Sequence, residues 1–157
     1  MAILKIVKDG DPVLRELAKE VPVKDIGTPK FKTLLEDMLE TMYDANGIGI
    51  AAPQIGASQR IFIAESGEGP IALINPTFTK KSWKMLKGEE GCLSVPGKYD
   101  KLKRHKAVTI TALTVDGAKI TFNAENFFAR VLQHEMDHLD GFLYVDRVKQ
   151  QKEEKPK

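Results

Sequence analysis

The order of structural signals along the chain predicts an α+β fold, with antiparallel or mixed β-sheets wrapped around a central C-terminal helix that carries an H-E-x-x-H motif. Three observations predict it. Two helix signals open the chain, strand patterns fill its middle, and one helical period returns after Asn123. Helices, then strands, then a single helix is the order of an α+β domain, not of an alternating parallel sheet.

Each element has its own local reason. Asp11 is a candidate N-cap and Pro12 suits a first helical position, so residues 12–20 are predicted as a short helix. Thr28-Pro29 repeats that signal. Phe31, Leu34, Leu35, Met38, Leu39 and Met42 then recur at helical spacing, and Asn46-Gly47 supplies a stop. Residues 60–65 and 71–75 read as strands separated by the turn-like Ser66-Gly67-Glu68-Gly69-Pro70. Residues 107–115 alternate between two faces, and Asp116-Gly117 turns the chain into a strand over 119–122. Phe127, Phe128, Val131, Leu132 and Leu139 mark a helix over 125–139, ended near Gly141. From Lys149 onward nearly every residue is Lys, Glu or Gln. Such a tail cannot bury apolar surface and is expected to be disordered or a frayed helix end. No internal repeat or linker divides the chain, so residues 1–148 are predicted as one domain and 149–157 as a charged tail.

At 157 residues the chain can bury a core and still leave a cleft. Its formal charge of +2 is too mild to argue for nucleic acid as a partner. No stretch approaches the roughly 18–20 apolar residues of a membrane span, and the first residues do not read as a signal or transit peptide. A cytoplasmic protein with no membrane partner is expected. The single cysteine, Cys92, excludes an internal disulfide framework. A lone cysteine can be a small buried hydrophobe, a nucleophile or a metal ligand.

The strongest chemical signal is His134-Glu135-Met136-Asp137-His138. On a helix, positions i and i+4 lie one above the other, so both imidazoles can reach one metal ion while Glu135 reaches a water beside it. The bland alternative is a polar helix with two surface histidines. Against it, the same helix is apolar at Phe127, Phe128, Val131 and Leu132, and burying two histidines and two acids there would be costly without partners. The third histidine, His105, sits in a basic run and reads as a solvated strand residue.

A catalytic site of this kind takes three protein ligands and keeps one position open. Asp140 and Asp146 follow the motif, but neither has the downstream spacing of metalloprotease ligands. The other soft ligand is Cys92, in Gly88-Glu89-Glu90-Gly91-Cys92-Leu93-Ser94, where the glycines suggest tight turns. A thiolate favours iron, zinc, cobalt or nickel over magnesium or calcium. A third segment, Gly47-Ile48-Gly49-Ile50-Ala51-Ala52-Pro53-Gln54, allows close backbone approach. Gln54 is its one polar side chain and could donate to an oxyanion. A small H-E-x-x-H peptidase and a structural metal-binding module are the competing readings. The first would need an extended groove and a downstream ligand. The second would need a fourth protein ligand.

Together the three segments resemble the signature motifs of the peptide deformylases: Gly-x-Gly-(aliphatic)-Ala-Ala-x-Gln, Glu-Gly-Cys-Leu-Ser and Gln-His-Glu-x-Asp-His, in that order. Gly10-Asp11-Pro12-Val13-Leu14-Arg15 and Leu139-Asp140-Gly141-Phe142-Leu143 are also similar to the family, so the likeness spans about residues 3–148. It implies removal of the formyl group from the N-terminal formyl-methionine of nascent polypeptides. It implies Cys92, His134 and His138 as ligands of one divalent metal, natively Fe2+, with Zn2+, Ni2+ or Co2+ as substitutes. Glu135 would take a proton from the attacking water and return one to the leaving amine. Gln54 and the Leu93 N–H would hold the carbonyl oxygen, and Gly49 would bond the substrate backbone. Arg104 is the implied partner of Glu90. Ile48, Ile50, Phe127 and Val131 are candidate walls of a methionine pocket, although core packing explains each of them equally well. The implied partners are N-formyl-Met-peptides and, transiently, the ribosome; the sequence leaves the oligomeric state open, with a monomer as the default expectation. The short charged run after Val148 departs from the longer C-terminal helix many relatives use for ribosome docking and weakens that implication.

Overall fold

A computed structural model describes residues 2–154. A five-stranded antiparallel sheet has the order β1 (Gly49–Ala51), β2 (Ile61–Glu65), β3 (Pro70–Lys81), β6 (Ala107–Leu113), β7 (Lys119–Glu125). A separate hairpin pairs β4 (Met85–Cys92) with β5 (Val95–His105). Three helices complete the fold: α1 (Pro29–Asp44), α2 (Asn126–Leu139) and α3 (Tyr144–Glu154).

Strand alternation explains why the large sheet sits between two helices. In β2, Ile61 and Ile63 join Phe31, Met38 and Met42 of α1 in one core. Phe62 and Ala64 point to the other face and join Ala129, Leu132 and Leu139 of α2. Each fully buried aliphatic or aromatic side chain there contributes about 1.5–3 kcal/mol. A third, smaller core holds α3 against the hairpin through Val95, Leu102, Leu143, Tyr144 and Val148.

Helix α1 begins as expected, with the Phe31 N–H donating to Thr28 Oγ1 at 3.3 Å. It ends where Asn46 takes a positive φ of 56°. The segment predicted as helix over 12–20 is only a 3-10 turn at Pro12–Arg15. Asp11 caps it, and the chain then extends into a bridge between Lys19 and Gln59. β3 continues past Asn75 to Lys81 by way of register shifts against β6.

The hairpin carrying Cys92 was not anticipated, and helix α3 was anticipated only as the frayed helix end that was one of two expectations for the tail. Residues 149–154, expected to be disordered or frayed, continue α3. Gln151 explains why: it accepts from the Lys103 N–H at 2.7 Å and donates to the Lys103 carbonyl at 2.9 Å. Residues 155–157 of that expected tail lie outside the described residues. No described helix is long and apolar enough to cross a membrane.

Candidate metal centre

Three ligand atoms converge where the hairpin meets α2. Cys92 ends β4, and Leu93-Ser94 make the turn into β5, so the thiol projects from the hairpin tip. His134 and His138 stand one turn apart on α2 with ring centroids 5.0 Å apart. Cys92 Sγ lies 3.4 Å from His138 Nε2, and one donor atom from each of the three residues lies within 4.8 Å of the others. One thiolate and two imidazoles suit iron, zinc, cobalt or nickel. The donor set therefore fits a divalent metal.

The surroundings fix these ligands. His134 Nδ1 lies 2.9 Å from Glu90 Oε1, which turns Nε2 toward the thiol. Glu90 also accepts two bonds from Arg104, each at 2.9 Å, and one from Arg130 at 2.7 Å. Arg104 in turn donates to Asp137 at 2.7 Å, and Arg147 of α3 grips the same carboxylate. Burial alone would raise the Glu90 carboxyl. The Arg104 and His134 bonds outweigh it and hold Glu90 well below the carboxylate range. Burial disfavours a charged His134, yet its bonds to Cys92 and Glu90 raise it to about 10, while burial and the His134 and Arg104 charges push His138 down.

Glu135 is buried at 3% exposure, and its Oε2 has no hydrogen-bond partner among the described residues. Burial raises its carboxyl to about 7, with His134 and Arg104 pulling the other way and Glu90 adding repulsion. Gln54 Oε1 accepts from the Ala51 N–H at 2.9 Å. Its amide nitrogen is thereby directed to Ser94 Oγ at 3.2 Å and to Cys92 Sγ at 3.7 Å.

These groups open onto a cleft of about 560 Å³. Gly49, Gln54, Leu93, Glu135 and the Ile48, Phe127 and Val131 side chains line it. Ile50 does not. Alternation along β1 sends Ile50 into the α1 core, fully buried, while Gly49 lies against Glu135. His105 also differs from expectation. It is half-buried, with Nδ1 2.7 Å from the Ser82 carbonyl and its backbone bonded on both sides to Gln133. Arg130, Gln133, Asp137 and Arg147 were missed by sequence reasoning. Of these, only Gln133 and Asp137 carried a signal, as members of the Gln-His-Glu-x-Asp-His segment.

The comparisons agree with this geometry. The Polypeptide deformylase family model matches residues 3–154. A peptide deformylase of Desulfitobacterium hafniense is 48% identical over 149 residues, covering 95% of this chain and 97% of its own length. One of Carboxydothermus hydrogenoformans is 49% identical over 148 residues, covering 94% and 95%. Among solved structures, the Thermotoga maritima peptide deformylase superposes with a TM-score of 0.89 at 40% identity, covering 94% of this chain and 98% of that one. The actinonin-bound class I type b peptide deformylase of Acinetobacter baumannii gives 0.90 at 36% identity, covering 94% and 99%. The chain therefore belongs to the polypeptide deformylase family, metal-dependent hydrolases that remove the N-formyl group from nascent polypeptides.

Proposed function

We propose that Cys92, His134 and His138 hold one divalent metal, that Glu135 moves the proton, and that Gln54 and the Leu93 N–H receive the substrate carbonyl oxygen. The observation that carries this reading is the convergence of one thiol and two imidazoles within 4.8 Å, beside a buried carboxyl whose Oε2 has no partner. When bound, the metal supplies Lewis-acid activation, lowering the pKa of water toward about 7.

The chain's own residues do the rest. Glu135, raised toward neutrality by burial, can accept the proton of the attacking water at Oε2 and release it to the amine that leaves. The Gln54 amide, fixed by Ala51, offers its N–H without reorganisation as the formyl carbon becomes tetrahedral. Strand β1 is an edge of the large sheet, so its open side at Gly49 can pair with an extended peptide backbone. Ile48, Phe127 and Val131 offer apolar contact to the methionine side chain. Glu90 and Arg104 hold His134 in place.

Ferrous iron is the proposed native metal, with zinc, nickel or cobalt as substitutes, because a thiolate with two imidazoles suits these ions. The proposed working unit is a monomer, since all these groups come from one chain. The proposed compartment is the cytoplasm, where nascent formyl-methionine is made, and ribosome contact is proposed as transient.

The test is formate release from formyl-Met-Ala-Ser by anaerobically prepared protein, with metal analysis of the same sample. Formate without peptide-bond cleavage is expected. Cleavage of internal bonds with the formyl group intact would overturn the reading.

A further inference from the structure

We propose that the loop between β3 and β4 docks single-stranded RNA, with the Trp83 indole stacking on a base and the surrounding lysines meeting its phosphates. Trp83 is the only tryptophan of the chain and is fully exposed, at 100%. An indole left in water forgoes a large burial gain, and among the described residues none covers it.

The loop that carries it is tightly built. The Ser82 N–H donates to the Ala107 carbonyl at 2.8 Å, and the Lys106 N–H donates to the Lys84 carbonyl at 2.9 Å. Ser82 Oγ donates to the Lys84 carbonyl at 2.9 Å and accepts from the Ala107 N–H at 3.0 Å. His105 Nδ1 closes on the Ser82 carbonyl at 2.7 Å. The indole is thus presented by a preorganised turn, which limits the ordering cost of binding.

Its collar is basic. Residues 76–88 contain no acid, and Lys80, Lys81, Lys84 and Lys87 are all exposed. Lys87 stands directly opposite Lys103 across the hairpin, a like-charge pairing that Asp100 answers only in part. Among the described residues, none of these five lysines, nor Lys106, is in an ion pair. The nearby acids are Glu125, beside Lys80 at the end of β7, and Glu89, Asp100 and Glu154, which share a groove with Lys87 and Lys103 and leave Lys80, Lys81 and Lys84 as the heart of the basic patch. The overall charge of +2 conceals this local concentration.

Charge complementarity selects a polyanion, and the indole selects one with flat faces. Single-stranded nucleic acid offers both, since every base stacks and every link carries a phosphate. A lipid surface would call for a broader apolar face than Trp83 and the partly exposed Met85 provide. An acidic peptide would answer the lysines and leave the indole bare. The choice of RNA over DNA rests on the deformylase reading, because an enzyme of nascent chains works where RNA is the abundant polyanion. The loop lies at the far end of β4 from Cys92, roughly 20–25 Å away at about 3.3 Å per residue.

The experiment is a titration of the full chain with a short mixed-sequence single-stranded RNA, read by tryptophan fluorescence, which here reports Trp83 alone. Quenching is expected, with a log affinity–log salt slope of about −2 for three phosphates. By anisotropy of labelled RNA, Trp83→Ala should bind roughly tenfold more weakly. Lys80→Glu/Lys81→Glu/Lys84→Glu should lose binding. Both variants should release formate from formyl-Met-Ala-Ser at the parent rate. Absence of quenching, unchanged RNA affinity in Trp83→Ala, or a stronger response to single-stranded DNA, polyglutamate or phosphatidylserine vesicles would overturn the proposal. Failure of the parent protein to release formate would remove the deformylase reading and leave the binding result standing by itself.

Discussion

Gly49 and Glu135 compete for one space: a Cβ on Gly49 would lie 2.6 Å from Glu135 Oε1. The carboxyl occupies the room a side chain would need. Gly49→Ala must therefore displace Glu135 or bend β1. The expected result is a loss of turnover of at least about tenfold, since a 1 Å misplacement can cost about 10²-fold. Metal content should stay unchanged. Formate release and metal analysis on the same preparation check both halves.

Glu135→Gln keeps the size and removes the proton acceptor. Turnover should fall by about 10²–10⁴-fold with the fold and metal retained. Near-normal activity in this variant would end the proton-shuttle assignment.

Cys92→Ala removes the hairpin's only donor atom and leaves two imidazoles. Metal retained after dialysis against a mild chelator should drop from about one equivalent to nearly none. Full retention would take Cys92 out of the site.

Ile48 and Ile50 separate cleft from core. Ile48, half exposed on the cleft, should on change to Ala raise KM for formyl-methionyl peptides while leaving the melting temperature nearly unaltered. Ile50→Ala should cost about 2–5 kcal/mol of stability, because it hollows the α1 core. Thermal melts and Michaelis kinetics on the pair would expose an exchange of these roles.

Glu90→Ala would leave Arg104 and Arg130 buried without their shared acceptor. Breaking one member of a buried ionic cluster typically costs about 3–5 kcal/mol. At about 2–4 °C per kcal/mol for a chain of this size, the melting point should fall by roughly 10 °C. A drop of a degree or two would mean the arginines find other acceptors.

The parts of the fold that obey local rules were legible in the sequence. Thr28, Pro29 and the apolar stripe of α1 specify that helix almost residue by residue, and the H-E-x-x-H helix was bounded to within a residue. The hairpin was not legible, because its inward positions include Glu90 and Arg104, which pattern reading assigns to solvent. Their burial is stabilised by their pairing with each other and by partners on α2, far away in sequence. Helix α3 was hidden for a related reason: only Tyr144 and Val148 of its residues are fully buried. Ile50 was misplaced by treating neighbours in a motif as neighbours in a pocket, although strand geometry sends alternate residues to opposite faces. Arg130 and Arg147 gave no signal, since an arginine's partners cannot be read from its own surroundings in the chain.

The four bonds converging on Glu90 have a kinetic consequence. Two of them, from Arg130 and His134, join hairpin to helix, while the two from Arg104 lie within the hairpin. The side chains that would hold a metal are thereby fixed by the fold, so loading the protein should require little rearrangement of the backbone. A preparation that lost its metal during isolation should accept a divalent ion such as nickel without a denaturation step.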